Sequence, residues 1–536
     1  MKKYIIGILF LASVIISSCA KQLEITPPSN ITDEQIKVLL ASGDTVKIKL
    51  ILESMANTMP LLFNTSGING AGTADGRYRS CQGMDAMRNL EGNDMVFGNK
   101  NLAIFGSDEY YLRDFISPAV DKNGYYWTSA WSIITSVNKM LLYLDDATVG
   151  SNAKLKEFKA RGLVVRASQY CYLMENYQDA FLQGGKDKLG IMLYDSYSPT
   201  QPYKARATST ETFAFIKNDL QTAITLFTGA SKGYTTTLLT DIDLGVANFL
   251  LARVALLTGD WTTAISACDG ILSKYPTLMG EIVYGGTKNV STTNVPEIRP
   301  ETNGFLFNDK NPEVILGWPV GQALTAHNGW LNPFGEGNGG LGEGFACIDN
   351  RLYEKINNND YRKACFLATE FGDYAYPTSG TVKKIPAYTN LKFAATHGIG
   401  SNDKKTVGNV TCYYMRTSEV LLMKAEAQAQ SNDATGAKTT LNILLAARTK
   451  AGLPALTCDN YTSMAGLSPL QMVQLQSRIE LWGEGGREFF NNKRWGIAVD
   501  RTSSTNHVDK GTYSVAKMTL QIPEQEMLYN PLCQQN

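Results

Sequence analysis

Apolar residues recur along most of the chain at three- and four-residue steps, the spacing of one buried helix face. In "TSTETFAFIKNDLQTAITLF", Phe213, Ile216, Leu220, Ala223 and Phe227 fall on that spacing. "SAWSIITSVNKMLLYLDD" and "KEFKARGLVVRASQYCYLMENYQDA" read as long amphipathic helices, and "TDEQIKVLLASG" opens with Thr32 and Gln35 placed as a capping box. "SPLQMVQLQSRIELW" opens the same way, with Ser468 capping, Pro469 at the first helical position and Gln471 as box partner. The pattern predicts a mainly α protein.

A weak repeat runs through the helices. In "LLARVALLTGDWTTAISACDGILSKYP", Ala252, Ala264 and Pro276 are spaced twelve apart, as in a tetratricopeptide unit. Small residues let two antiparallel helices approach, and proline ends the second. Ala425 and Ala437 of "LLMKAEAQAQSNDATGAKTTLNILLAART" repeat the step, and Asp260 and Asp433 share the turn position. "VVRASQYCYLMENYQDAF" offers a third unit, the minimum for a stack. Between helices lie stretches rich in Gly, Asn, Tyr and Trp, at 64–128, 280–345 and 371–411. Loops this long in a compact protein usually carry function.

The N-terminus has its own pattern. Lys2 and Lys3 precede an uncharged 13-residue apolar run, Tyr4 to Ile16. A membrane span needs about 20 residues, so the run fits a signal-peptide core. "ISSC" then resembles a bacterial lipobox, with Ile16 for Leu and Ser18 for Gly or Ala, and marks Cys19 for lipid attachment. The alternative is an ordinary secretory signal cut nearby. "ITPPSNITD" reads as a tether, giving a protein anchored to a membrane rather than inserted.

Charge and chemistry narrow the function. Among 536 residues, Lys+Arg and Asp+Glu balance at 50 each, which leaves no basic field for a nucleic acid. Eight cysteines follow Cys19, none in a C-x-x-C spacing, and Cys171 and Cys268 sit in helical patterns as small buried hydrophobes. With three histidines and no H-E-x-x-H, no metal site or cofactor is expected. "GASKG" around Ser231 matches G-x-S-x-G, but a nucleophile elbow needs a preceding strand, and here a helix ends just before Gly229, a natural C-cap. "GEGNGG" (335–340) matches G-x-G-x-x-G without the strand–helix frame of a dinucleotide site. Glu480, Glu484 and Glu488 in "RIELWGEGGREFFNNKRWG" could offer a glycosidase pair. Arg478, Arg487, Lys493 and Arg494 nearby favour a structural knot of buried ion pairs instead.

Several C-terminal stretches resemble the SusD/RagB-type nutrient-binding lipoproteins of Bacteroidetes outer membranes. "YYMRTSEVLLMKAEAQAQ" is similar to that family's helix with an A-E-A core. "LNILLAARTKAGLP" is similar to its L-N-x-[VI]-R-x-R-A-G-L segment, with Leu445 and Ala446 departing. "RIELWGEGGREFFNNKRWG" resembles its E-G-x-R…R-W-G signature, with Asn491 or Asn492 where Asp is common. "IPEQEMLYNPLCQQN" resembles its closing segment, and "LYEKINNNDYRKACF" its D-x-R segment. N-terminally, "YYWTSAWSIITSVNKML" is similar to W-x-x-x-Y-x-x-I-x-x-A-N, with Trp131 for Tyr and Val137 for Ala.

The resemblance implies a SusD-like helical fold on tetratricopeptide-like hairpins, and binding without catalysis. It implies a protein lying over a SusC-like TonB-dependent β-barrel transporter as a lid that captures oligosaccharide or peptide. An exported glycan-degrading hydrolase and a protein-binding scaffold are the alternatives. The domains it suggests are a signal peptide at 1–18, a lipidated tether at 19–31 and an N-terminal region at 32–230. A tetratricopeptide-like unit with binding loops at 231–345 and a C-terminal region at 346–536 follow. Sugars present flat C–H faces to aromatic rings and hydroxyls to polar groups. On that chemistry Arg77, Tyr78, Asp94, Tyr110, Tyr111, Trp318, Trp330 and Phe334 are the candidate ligand contacts, with Trp330 foremost. Trp127 is expected to be structural.

Overall fold

The computed structural model describes residues 88–97, 121–235, 239–290, 296–319, 345–375, 382–394 and 411–536, with the single position Val38. The lipobox, the first capping box, the "GEGNGG" stretch, and candidates Arg77, Tyr78, Tyr110, Tyr111, Trp330 and Phe334 lie outside them.

The body is helical. α1 (Asp121–Leu141), α2 (Ala153–Tyr177) and α3 (Ser209–Gly229) pack in series. α4 (Leu244–Thr258) and α5 (Trp261–Leu272) form a hairpin against α3, and α6 (Thr417–Gln430) and α7 (Ala434–Ala447) form another against α5. α2/α3, α4/α5 and α6/α7 therefore stack as three helical pairs, as the repeat predicted. The reason is visible at the spaced alanines: Ala252, Ala264 and Ala425 are fully buried and Ala437 is 1% exposed, so the helix axes meet where no side chain stands between them. The turns match as well. Gly259 (φ 77°) precedes Asp260, and Asn432 (φ 64°) precedes Asp433, each left-handed residue closing the first helix. Asp260 then accepts from the Thr263 amide at 3.3 Å and Asp433 from the Gly436 amide at 2.8 Å, each capping the second helix.

α8 (Pro469–Glu480) packs on α6, capped by Ser468 and Gln471 in the reciprocal box the sequence predicted. A turn carrying three left-handed glycines leads into α9 (Arg487–Trp495). The glycine is obligatory at Gly486: its φ is 60°, and a Cβ there would stand 2.5 Å from the Cβ of Arg88. Cys171 and Cys268 are buried in this core. Among the described residues no helix is long and apolar enough to cross a membrane.

Three expectations change. Helix α1 starts at Asp121 rather than in the 129–146 stretch, so Tyr126 and Trp127 are buried helix residues and not loop. Trp127 donates to Glu526 at 3.2 Å, a structural role. Tyr284, in a stretch read as loop, is 1% exposed and packs edge-on against Phe305. The left-handed residue after α3 is Ser231 (φ 54°), not Gly229, which stays helical. Ser231 still follows a helix rather than a strand, so it is no nucleophile elbow.

Candidate functional site

Short two-stranded ladders stand at edges of the aromatic-rich stretches, with α1 at the far edge of 98–120. β1 (Met95–Phe97) pairs antiparallel with β3 (Ala346–Ile348), and β2 (Val314–Pro319) with β4 (Thr411–Arg416). Phe97 stands opposite Ala346, and Pro319 opposite Thr411. The chain leaves the described residues at Phe97, at Pro319 and at Ala394, and re-enters at Phe345 and Thr411. Residues 388–390 lie against β3: Ile348 donates to the Tyr388 carbonyl at 3.0 Å and Asn390 to the Ala346 carbonyl at 2.9 Å. The edges of stretches 98–120, 320–344 and 395–410 therefore meet in pairs, although they are far apart in sequence: Phe97 and Ala346 on one ladder, Pro319 and Thr411 on the other. Val96, Phe345, Cys347, Leu367, Ile385 and Leu391 form a small separate apolar core. Trp318 occupies β2 opposite Cys412, one residue before the chain leaves.

Asp94 departs from its expected role. It is 2% exposed, its carboxylate accepts from Arg478 (Nε at 2.8 Å), and its carbonyl accepts from the Trp482 indole at 2.9 Å. The side chain is committed to the interior and presents no rim to a ligand.

The bases are tied to the helical body by a buried ionic network centred on Glu480. Glu480 is fully buried and accepts from Arg448 Nη2 at 2.8 Å and Nε at 3.0 Å, Arg416 Nη1 at 2.7 Å and Arg362 Nη1 at 2.9 Å. Glu313, directly before β2, bridges Arg448 Nη2 (2.6 Å) and Arg416 Nη1 (2.8 Å). Glu484 takes Arg416 Nε at 2.7 Å and Lys392 Nζ at 2.6 Å. Asp360 holds Arg362 (2.6 Å) and accepts from the Tyr461 hydroxyl at 3.0 Å. Four cations, Arg362, Lys392, Arg416 and Arg448, balance four anions, Glu313, Asp360, Glu480 and Glu484. Burial by itself would push the Glu480 carboxyl up, but its three arginines outweigh burial and hold it well below the usual range.

The stretch 478–496 is therefore a structural knot, as the sequence suggested, with different partners. Its own cations point elsewhere: Arg478 to Asp94, Arg487 to Glu175 at 3.3 Å, Arg494 to Glu426, and Lys493 to the Glu175 carbonyl at 2.7 Å. The arginines that neutralise Glu480 come from 360–362, the end of β4 and the end of α7. Spacing within one segment could not show this. With both acids so engaged, Glu480 and Glu484 have no free carboxyl pair to place across a glycosidic bond. Among the described residues no cluster of His, Cys, Asp and Glu could hold a metal ion.

Among the described residues the chain is a helical scaffold edged by short two-stranded ladders, with Glu480 and Glu484 engaged by arginine and lysine. The "SusD family" profile matches residues 312–536, and the profile described as "Starch-binding associating with outer membrane" matches residues 75–254. The chain belongs to the SusD/RagB family. A SusD-like carbohydrate binding protein from Bacteroides vulgatus superposes with a TM-score of 0.66 at 21% identity, over 90% of this chain and 97% of its own. A SusD superfamily protein from Bacteroides thetaiotaomicron gives 0.66 at 18% identity, over 92% and 99%. One from Parabacteroides distasonis gives 0.66 at 16%, also over 92% and 99%. No curated protein sequence matches the chain.

Proposed function

We propose that the protein is a lipid-anchored outer-membrane receptor that binds an oligosaccharide without cleaving it and hands it to a SusC-like TonB-dependent transporter. The observation that carries this reading is the match of residues 75–254 to a family described as starch-binding and outer-membrane-associating. The ladder pairing supports it, because it sets the edge of 98–120 beside that of 320–344, and the other edge of 320–344 beside that of 395–410. A glycan is favoured over a peptide by that family description and by the carbohydrate-binding relative from Bacteroides vulgatus. Arg77, Tyr78, Tyr110, Tyr111, Trp318, Trp330 and Phe334 are the proposed contacts, and Cys19 the proposed lipid attachment.

The test is calorimetric titration of the purified mature chain with starch oligosaccharides, other glycans and peptides, with chromatography of each ligand afterwards. Binding of an intact glycan supports the proposal. Turnover of the ligand would instead establish the hydrolase. Binding of peptides alone would move the ligand class. Trp330→Ala is expected to weaken glycan binding at least about tenfold, the loss of roughly 1.4 kcal/mol of ring contact.

A further inference from the structure

Residues 90–97 are held by segments that lie far towards the C-terminus. Arg501, fully buried, donates to the Gly92 and Leu90 carbonyls at 2.9 Å. Asn93 is held at four atoms. Its amide donates to Glu488 at 3.1 Å and its Nδ2 to the Ala498 carbonyl at 3.3 Å. Its Oδ1 accepts from the Asp500 amide at 2.8 Å, and its carbonyl lies 2.9 Å from His507 Nε2. The Asp94 carboxylate accepts from Arg478 Nε at 2.8 Å, and its carbonyl from the Trp482 indole and the Asp349 amide, both at 2.9 Å. Met95, Val96 and Phe97 then pair with Ile348, Cys347 and Ala346.

Among the described residues, the hydrogen-bond partners of Asn93 and Asp94 therefore lie at 349 or between 478 and 507, across separations of up to 414 residues. Apolar contacts point the same way. Leu90 and Met95 belong to the main core and Val96 to the small separate one, so the segment joins the two. Arg88, just before it, is the tie to α1 and α2: it donates to Asn176 at 3.0 Å and stands over the Tyr126 ring. Closing so long a loop costs chain entropy, and the bonds that offset it exist only once 478–509 is in place.

We propose that residues 90–97 are a late-closing clasp: they join the structure only with or after 478–509, so the N-terminal region stays incomplete until the C-terminal segment is in place. The α2/α3 pair, by contrast, is closed by near contacts such as Arg166 to Asp219, at 2.7 Å and 53 residues apart. For a chain exported N-terminus first, as the proposed signal segment implies, this order keeps the run into 98–120 unlatched until the last residues emerge. The clasp involves no ligand, so its test stands apart from that of the binding reading.

Pulsed hydrogen exchange during refolding of the full mature chain, read by mass spectrometry, tests this. Peptides covering 88–97 are expected to gain protection in the phase of those covering 478–509 or later, about tenfold or more slower than peptides of α2 and α3. Protection of 88–97 in the phase of α2 and α3, or ahead of 478–509, overturns the proposal. Native-state exchange gives a second reading. Arg501→Met, which removes the bonds to the Leu90 and Gly92 carbonyls, is expected to lower protection of 88–97 at least about tenfold while α2 and α3 keep theirs. Unchanged protection at 88–97 in that variant overturns the proposal as well. Should the variant fail to fold, the refolding order of the wild type decides alone.

Discussion

Replacing Glu480 by Gln isolates the centre of the ionic network, because size and shape are kept and only the charge and one acceptor are removed. Glu480 receives four charge-assisted bonds from three arginines, at 2.7 to 3.0 Å, in a site with no exposure. The variant leaves four cations facing three anions, and its amide nitrogen points at an arginine donor. Breaking a buried pair by removing one partner costs about 3–5 kcal/mol, because the remaining charge stays desolvated. Unfolding entropy is about 2 cal/mol/K per residue, so a chain of 536 residues carries roughly 1 kcal/mol per kelvin and should melt about 3–5 °C lower. Calorimetry of the purified chain measures this. The exposed pair Lys384–Glu370, at 61% and 54% side-chain exposure, is the control, and Glu370→Gln should leave the Tm unchanged within about 1 °C. A Glu480→Gln melt indistinguishable from that control would refute the view that this network holds the loop bases to the helices.

Loss of either turn cap, Asp260→Ala or Asp433→Ala, should cost about 1 kcal/mol in denaturant unfolding, with similar effects at both because the two turns are built alike. Ala264→Leu, at a fully buried helix contact, should cost about 1–3 kcal/mol by overpacking. His507 is buried and held at about 4 against 6.5 when free, so its folded form binds fewer protons in that window. Its contribution is present above pH 6.5 and lost as pH falls to about 4, by at most about 3 kcal/mol. Replacing His507 by a residue that does not titrate should flatten the acid limb of a stability–pH profile.

The helical body was legible because periodicity and small-residue spacing act locally. Ala252, Ala264, Ala425 and Ala437 mark helix crossings from within one short segment, and Asp260 and Asp433 mark caps within one turn. The knot was legible only in kind. Its acids could be seen to need cations, but Arg362, Arg416 and Arg448 arrive from distant segments, and nearest-in-sequence arginines were the wrong partners. Asp94 misled for the same reason: a polar residue among glycines and asparagines looks exposed until Arg478, 384 residues away, closes over it. Tyr284 and Tyr126 show that aromatic content alone does not distinguish a ligand ring from a core ring. The pairing of β1 with β3 had no sequence signal, since each strand is three residues long.

The most direct test of the account is calorimetry of the mature chain with a starch oligosaccharide series, followed by chromatography of the recovered sugar. Saturable binding with the sugar recovered intact, weakened at least about tenfold in Trp330→Ala while the exposed control Glu370→Gln binds normally, is the predicted result. Cleavage of the sugar, or no binding to any glycan by a chain that melts cooperatively, would contradict it.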